Sequence, residues 1–251
     1  DLEAAADAFE FAITIDSSFE FAYREAIQVH LEAKNYKRAL ELCLELSETI
    51  SPDSELMIFT GNCYEQLGQL EEAIHCYREA IRLNPIDDRA WYQLGECLFD
   101  KEEWPQAIEA FNKALLLDDR KEEYYAALAE AHFQKGDDEQ ADFYFSRATE
   151  IAPEQAEYWA QLASFLIDIH EPQRALQVLD EAGLYTSSSE FIYCRIAALM
   201  QSGRRKEALS LLPDALTHAA DQSDFLFSLL PELEEDAEVL RIFSMYGRQA
   251  G

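Results

Sequence analysis

A spacing of 34 residues constrains how this chain can fold more than any other feature of its sequence. Residues 88–121 and 122–155 are two successive copies of one pattern, with ring, aliphatic and small side chains at positions 4, 7, 8, 11, 20, 24 and 27. The first copy holds, in that order, Trp91, Leu94, Gly95, Leu98, Ala107, Phe111 and Ala114. The second copy holds Tyr125, Leu128, Ala129, His132, Ala141, Phe145 and Ala148. Self-similarity at a fixed period predicts an array of repeats.

The pattern positions indicate two helices in each copy. At 3.6 residues per turn, positions 4, 7, 8 and 11 share one helix face and meet a second helix that carries positions 20, 24 and 27. Small residues at positions 8, 20 and 27 let the two backbones approach closely, while the rings at positions 4 and 24 fill the space around them. One such hairpin cannot bury both of its faces, so each hairpin must stack on its neighbours.

This pattern resembles the tetratricopeptide repeat (TPR), whose signature is W-x2-L-G-x2-Y, then A-x3-F, then P, on a helix-turn-helix of 34 residues. Pro153 supplies the final proline at position 32 of the second copy. The resemblance implies an all-α fold, a right-handed superhelical solenoid of TPR helix-turn-helix repeats. The sequence also lacks alternating Val, Ile and Thr runs, which leaves little material for sheets.

Extending the register along the chain predicts a single TPR solenoid domain over residues 1–251. Residues 1–19 are interpreted as the second helix of a truncated repeat, which would make the natural protein extend further toward the N-terminus; the alternative is that this lone helix is an incomplete cap. In the sixth copy Gly203 and Ala208 come one residue early, which indicates a one-residue deletion in the turn. Residues 223–251 are predicted to form C-terminal capping helices, the last over roughly Glu232–Tyr246. The predicted full repeats are 20–53, 54–87, 88–121, 122–155, 156–189 and 190–222.

The charge of the chain limits the class of partner. Lys and Arg number 20 against 50 Asp and Glu, which gives a formal charge of -30. Nucleic acid and anionic membranes are poor partners for such a surface, because both are normally met by clustered Lys and Arg. Two interpretations of the acidity stay open: solubility with weak self-association, or steering of a basic partner.

The sequence gives little sign of catalytic or metal chemistry. The five cysteines form no C-x2-C pair, which favours reduced thiols and a cytoplasmic setting. The spacing of Cys63, His75 and Cys76 matches no zinc pattern. No hydrolase, phosphate-loop or dinucleotide motif is present. We therefore expect no enzyme activity, no cofactor and no bound metal.

In TPR proteins, positions 2, 5, 9 and 12 of each first helix line the concave side of the array, and this predicts a protein-binding groove. Apolar residues hold most of the position-12 sites, and acidic residues flank them. The structural alternative is that position 12 partly fills the contact between repeats, because large apolar residues usually pack. The predicted groove residues are Arg24, Gln28, Leu31, Ile58, Asn62, Glu65, Tyr92, Glu96, Phe99, Asp100, Glu130, Phe133 and Ile167.

Some TPR domains clamp the carboxylate tail of a chaperone with cationic and amide side chains. The matching positions here hold Arg24, Gln28, Phe59, Arg89 and Gln93, of which only the two arginines keep a positive charge. With a phenylalanine in place of an amide and many carboxylates nearby, this surface is poorly suited to an acidic tail.

The sequence thus predicts a noncatalytic protein-protein interaction scaffold that binds a peptide or helix in its groove. The expected partner is a protein or peptide that is basic and partly apolar. Two alternatives stay open: the chain is a regulatory or targeting portion of a larger enzyme or sensor, or it is a self-assembly module. The sequence decides neither the partner's identity nor the oligomeric state, since fold alone does not give function.

Overall fold

A computed structural model describes residues 2–246, apart from the side chain of residue 221. The chain divides into two compact units, Asp1–Lys135 and Gly136–Gly251, here called the first and second units. Within the described residues every regular element is a helix, which confirms the prediction of an all-α fold. No helix in residues 2–246 combines the length and apolar character needed to cross a membrane.

The first unit consists of antiparallel helix pairs joined by short turns. Each helix packs against the next one in the chain, and α2, α4 and α6 also each contact the helix two places further on. The helices of the first unit are α1 (Leu2–Ile15), α2 (Glu20–Glu32), α3 (Tyr36–Thr49), α4 (Ser54–Gln66), α5 (Leu70–Leu83), α6 (Asp88–Asp100), α7 (Trp104–Leu117) and α8 (Glu122–Lys135).

The second unit continues the same construction and ends in shorter elements. Its helices are α9 (Asp138–Ile151), α10 (Ala156–Asp168), α11 (Pro172–Ala182), α12 (Glu190–Gln201), α13 (Arg205–His218), α14 (Ser223–Leu229) and α15 (Ala237–Tyr246). Two 3-10 turns, Ala220–Gln222 and Pro231–Glu235, flank α14. The repeat boundaries drawn from the sequence stay a prediction.

The predicted last helix, Glu232–Tyr246, is wrong in its first turn. Residues 231–235 form a 3-10 turn that starts at a proline, and the α-helix begins only at Ala237. Asp236 lies between the two elements and caps α15. Its Oδ1 accepts hydrogen bonds from the backbone N–H groups of Glu238 and Val239, each at 3.1 Å. The last residues of the predicted cap, 247–251, lie outside the described part of the chain.

A left-handed residue ends the first helix of each hairpin. Gly68, Gly136 and Gly203 have φ angles between +73° and +83°, which glycine adopts without steric cost. Lys34, Glu102 and His170 occupy the same place in the other hairpins with φ of 57° to 60°, where a side chain is strained. In the sixth hairpin this residue and the start of α13 both come one place early, which confirms the predicted one-residue deletion.

The close approach predicted for the two helices of a hairpin is present in the first unit. A Cβ atom added to Gly61 would lie 2.5 Å from the ring of Tyr77, and one added to Gly95 would overlap the ring of Phe111 in the same way. Both rings are fully buried, so a displacement would disturb the surrounding core. Ala73 and Ala107, on the second helices of these hairpins, are also fully buried.

Successive hairpins are linked by a hydrogen bond that the sequence pattern does not show. Trp91 donates its Nε1–H to the carbonyl oxygen of Pro85 at 3.1 Å, and Tyr125 donates its hydroxyl to the carbonyl of Asp119 at 3.0 Å. Both rings occupy position 4 of a repeat, and both carbonyls belong to position 32 of the preceding one. The ring at position 4 therefore fills space and also satisfies a backbone acceptor in the connection.

Replacing Gly95 with alanine tests the close approach. Helix propensity alone would make the alanine variant more stable by about 1 kcal/mol. The overlap with Phe111 should outweigh this gain, so we expect a net loss on the order of 1–3 kcal/mol in the free energy of unfolding. Urea denaturation of Gly95→Ala, Phe111→Leu and the double variant measures the coupling. Equal losses with and without the Phe111 ring would contradict the proposed contact.

The turns give a second prediction, in which substitutions at two equivalent turn positions change the stability in opposite directions. Gly68→Ala should lower stability by about 1 kcal/mol, because a positive φ disfavours a side chain and no atom lies near enough to pack against it. Glu102→Gly should raise stability by up to about 1 kcal/mol, since relief of strain exceeds the added entropy of the unfolded chain. Chemical denaturation of both variants, with Glu102→Ala as the control, checks the pair. A stable Gly68→Ala variant would disprove the strain argument.

Candidate protein-binding surface

The predicted groove residues, apart from Ile167, lie on α2, α4, α6 and α8 of the first unit. These are the first helices of successive hairpins, and each contacts the next first helix along the unit. Their side chains at positions 2, 5, 9, 12 and 13 form what we call the first-helix surface. Ile167 belongs to α10 in the second unit and is fully buried.

The arginines of the first-helix surface are already neutralised. Arg24 donates to Glu20, to Asp53 at 2.7 Å and to Glu55 at 2.9 Å. Arg89 forms a two-point contact with Asp87, with N–O distances of 3.2 and 3.1 Å. Neither guanidinium is available as a free cation, which agrees with the expectation that an acidic tail would bind poorly.

The apolar members of the predicted groove differ in their burial. Ile58 is 6% exposed, and Leu31 packs against the buried cluster of the first hairpins. Ile58 and Ile167 are therefore core residues rather than groove residues, because positions 5 and 12 lie at the edge of the buried arc, whereas Leu31 is only partly buried. Phe99 and Phe133 are only half-buried, and Phe99 meets the ring of Trp104 edge-on at 4.9 Å. These two phenylalanines offer apolar surface.

Tyr92 takes part in an aromatic stack within the first unit. Its ring lies 5.6 Å from Phe111 and 4.9 Å from Tyr124, the second contact being nearly parallel. Tyr124 is in turn fixed by Asp88, whose Oδ2 lies 2.5 Å from the tyrosine hydroxyl and 2.7 Å from Nζ of Lys121. Sequence reasoning missed this network, because position 3 of the repeat, where Tyr124 lies, carries no signature residue.

Carboxylates gather around the middle of the first-helix surface. Burial raises the pKa of Glu65, and the charge of Asp100 adds to this, while hydrogen bonds from Tyr77 and Cys97 oppose it. Burial also raises the pKa of Glu96, to about 7, reinforced by the charges of Glu65 and Asp100 and opposed by a hydrogen bond from Tyr92. We call Glu65, Glu96 and Asp100 the acidic cluster.

A tyrosine of the core forms a hydrogen bond with this cluster. The hydroxyl of Tyr77, whose ring packs on Gly61, lies 2.5 Å from Oε2 of Glu65 and 2.7 Å from Oδ1 of Asn62. Phe111 occupies the same place in the following hairpin but has no hydroxyl. The position of the Glu65 carboxylate is therefore set by a hydrogen bond from the core.

No cation in the described residues neutralises the acidic cluster. Lys101 lies next to Asp100 in sequence, but its Nζ pairs with Glu71 and Glu103, each at 2.8 Å. Within residues 2–246, no lysine or arginine forms an ion pair with Glu65, Glu96 or Asp100. Residues 2–246 also contain no group of His, Cys, Asp and Glu side chains arranged to hold a metal ion. The cluster is thus a partly buried concentration of negative charge.

The family follows from comparison with known sequences. Residues 61–124 and residues 122–155 match sequence profiles of the tetratricopeptide repeat. The chain is a tetratricopeptide repeat protein. A search of curated protein sequences found no match. As expected for a TPR protein, its structural relatives share the helical hairpin architecture at low sequence identity.

Three solved structures illustrate this likeness to other TPR proteins. The pilF protein of Pseudomonas aeruginosa has a TM-score of 0.67 at 16% identity, covering 92% of this chain and 98% of its own. MamA has a TM-score of 0.58 at 22% identity, over 63% of this chain and 92% of its own. YrrB, described as a TPR protein with an unusual peptide-binding site, has a TM-score of 0.54 at 24% identity, over 62% and 81%. At these identities the likeness shows the fold alone.

The raised pKa of Glu96 gives a prediction for stability against pH. Between about pH 4.5 and 7 the native state holds a proton that the unfolded state has lost, so the contribution of this group to stability falls as pH rises. Glu96→Gln should remove the cost of burying the charge. The variant should exceed the wild type by roughly 1–3 kcal/mol near pH 8 and match it near pH 4.5.

Denaturant midpoints measured across this pH range test the prediction. Glu109→Gln, on the exposed side of α7, is the matched control and should show no pH-dependent difference from the wild type. A pH-independent effect of Glu96→Gln would indicate a change in packing or hydrogen bonding, and would contradict the assignment of a buried charge.

Proposed function

We propose that this TPR protein is a noncatalytic interaction scaffold whose first-helix surface binds a basic, partly apolar segment of another protein. The observation that carries the proposal is the acidic cluster of Glu65, Glu96 and Asp100, which has no cation partner in the described residues and lies beside Phe99. Peptide binding between helices is a common use of TPR architecture. The description of YrrB gives one such protein with a peptide-binding site.

In the unbound protein the acidic cluster carries an electrostatic cost. Carboxylates that lose water without gaining a cation are destabilised, and the raised pKa values of Glu65 and Glu96 express that cost. A lysine or arginine from a partner would restore the missing interaction. The formal charge of -30 would also speed encounter with a basic partner and repel acidic competitors.

The apolar part of the proposed contact comes from Phe99 and Phe133. Both rings are half-buried, so each already has support from its own unit and keeps a face for a partner. Aromatic rings that are already packed lose little side-chain entropy on binding, and this favours their use as anchors. Glu130, on the same helix as Phe133, is steadied by a 2.7 Å hydrogen bond from Gln134.

Two alternative functions place different requirements on this surface. A regulatory or targeting role within a larger enzyme or sensor would place the same surface in an intramolecular contact. Self-assembly would require a self-complementary surface, and light scattering at several protein concentrations would reveal it. The neutralised arginines and the acidic cluster both argue against an acidic peptide.

Binding kinetics test the proposal with a defined probe. Immobilised peptides of alternating Lys and Leu should bind, and matched peptides of alternating Glu and Leu should not. Phe99→Ala or Phe133→Ala should raise the dissociation rate, at a cost of roughly 1–3 kcal/mol if the ring is an anchor. Glu96→Gln combined with Glu130→Gln should instead slow association, mainly below ~0.15 M salt.

The controls separate surface effects from unfolding. Circular dichroism spectra of each variant should match the wild type, and Glu109→Gln should leave both rate constants unchanged. If the folded Phe99/Phe133 double alanine variant binds the basic peptide with full affinity, the first-helix surface is not the site. Preference for the acidic peptide would equally overturn the proposal.

A further inference from the structure

A separate cavity lies in the second unit. Its volume is about 410 Å³, and its walls come from α9, α10, α11 and the loop that follows α11. Cavities of this size accept a side chain or a small ligand. The lining residues include Glu150, Pro153, Trp159, Leu162, Glu181 and Tyr185.

The cavity lies where α11 is shorter than its counterparts. The second helices α3, α5, α7, α9 and α13 each have 14 residues, whereas α11 has 11 and ends at Ala182. The carbonyl of Ala182 then accepts hydrogen bonds from the N–H groups of Tyr185 and Thr186, at 3.0 and 2.9 Å. This turn carries Tyr185 away from the helix line and toward α10.

Trp159 and Tyr185 together form an aromatic wall. Their rings are nearly parallel, at 10°, with centroids 5.9 Å apart. Trp159 is 4% exposed and is held by a 2.8 Å hydrogen bond from its Nε1 to the carbonyl of Pro153. Tyr185 is 54% exposed. The wall therefore has a rigid inner ring and an outer ring with an accessible face.

Two carboxylates border this wall. Glu150 pairs with Arg147 on its own helix, so its charge is partly offset. Glu181 forms no side-chain hydrogen bond or ion pair with any described residue, and its side chain is exposed. An aromatic face beside an unpaired carboxylate attracts a cation by both cation–π and ion-pair interactions.

We propose that this cavity is a subsite for an arginine side chain of a protein partner. The planar guanidinium stacks on aromatic rings and binds carboxylates through two parallel hydrogen bonds, and it gives up water more easily than an ammonium group. Lysine meets the charge requirement but lacks the planar shape. The subsite lies in a different unit from the first-helix surface, so the two proposals succeed or fail independently.

The ring geometry indicates where the guanidinium binds. Stacked atoms need about 3.5 Å between layers, so a plane inserted between two rings requires about 7 Å. The 5.9 Å between the ring centroids is too short for this arrangement. The guanidinium therefore stacks on the accessible face of Tyr185, within reach of Glu181, and the methylene stem lies against the apolar part of the cavity.

Nuclear magnetic resonance of the tryptophan indole N–H groups tests this subsite. The chain has three tryptophans, and Trp159→Phe identifies the signal of Trp159. Titration with N-acetyl-arginine methylamide should shift that signal and leave those of Trp91 and Trp104 in place. The citrulline analogue, which has the same shape without the charge, should cause no shift. The lysine analogue and free arginine, whose carboxylate meets Glu150 and Glu181, should bind more weakly.

Variants complete the test. Tyr185→Ala should weaken arginine binding about two- to fivefold through loss of the cation–π contact, and Glu181→Gln up to about fivefold. Glu139→Gln, exposed on α9 away from the cavity, is the matched control and should bind like the wild type. Equal binding of citrulline, no shift at Trp159, or unchanged affinity in both cavity variants would overturn the proposal.

Discussion

The contact between a glycine on one helix and an aromatic ring on the next is the constraint on which the hairpins α4–α5 and α6–α7 of the first unit depend. Gly61 meets Tyr77 and Gly95 meets Phe111, each at a distance that leaves no room for a Cβ atom. Such a contact fixes the rotation of both helices at once. Because rotation is fixed, positions 5, 9 and 12 of the first helix turn toward the same surface in both hairpins.

This constraint explains why the fold could be predicted from the sequence and the candidate site only in part. The small and aromatic positions recur in most copies, so a departure in one copy is corrected by the others. Positions 5 and 12 lie at the edge of the buried arc, where an apolar residue has two outcomes: Ile58 and Ile167 are buried, while Phe99 and Phe133 are only half-buried. Composition cannot separate these outcomes, because they depend on neighbouring helices.

Other features could not be predicted from the sequence for a different reason. The network of Asp88, Lys121 and Tyr124 joins residues more than thirty positions apart and uses a repeat position without a signature. Likewise, the stacking of Tyr185 on Trp159 depends on the early end of α11, and Gly183 in the sequence signals a loop without indicating its path. Side-chain placement of this kind requires the three-dimensional arrangement of several elements.

The departures from the repeat pattern coincide with the candidate sites, and there is a physical reason for this. Residues that match the pattern are already committed to packing, and changing their surroundings costs stability. Tyr77 keeps the ring that packing requires and adds a hydroxyl, which reaches Glu65 on the first-helix surface. The shortened α11 likewise leaves its buried residues Ala175 and Ala182 in place and releases only the segment beyond them. In both cases the packed part of the repeat keeps its structure. The groups that form the candidate sites lie at its edge.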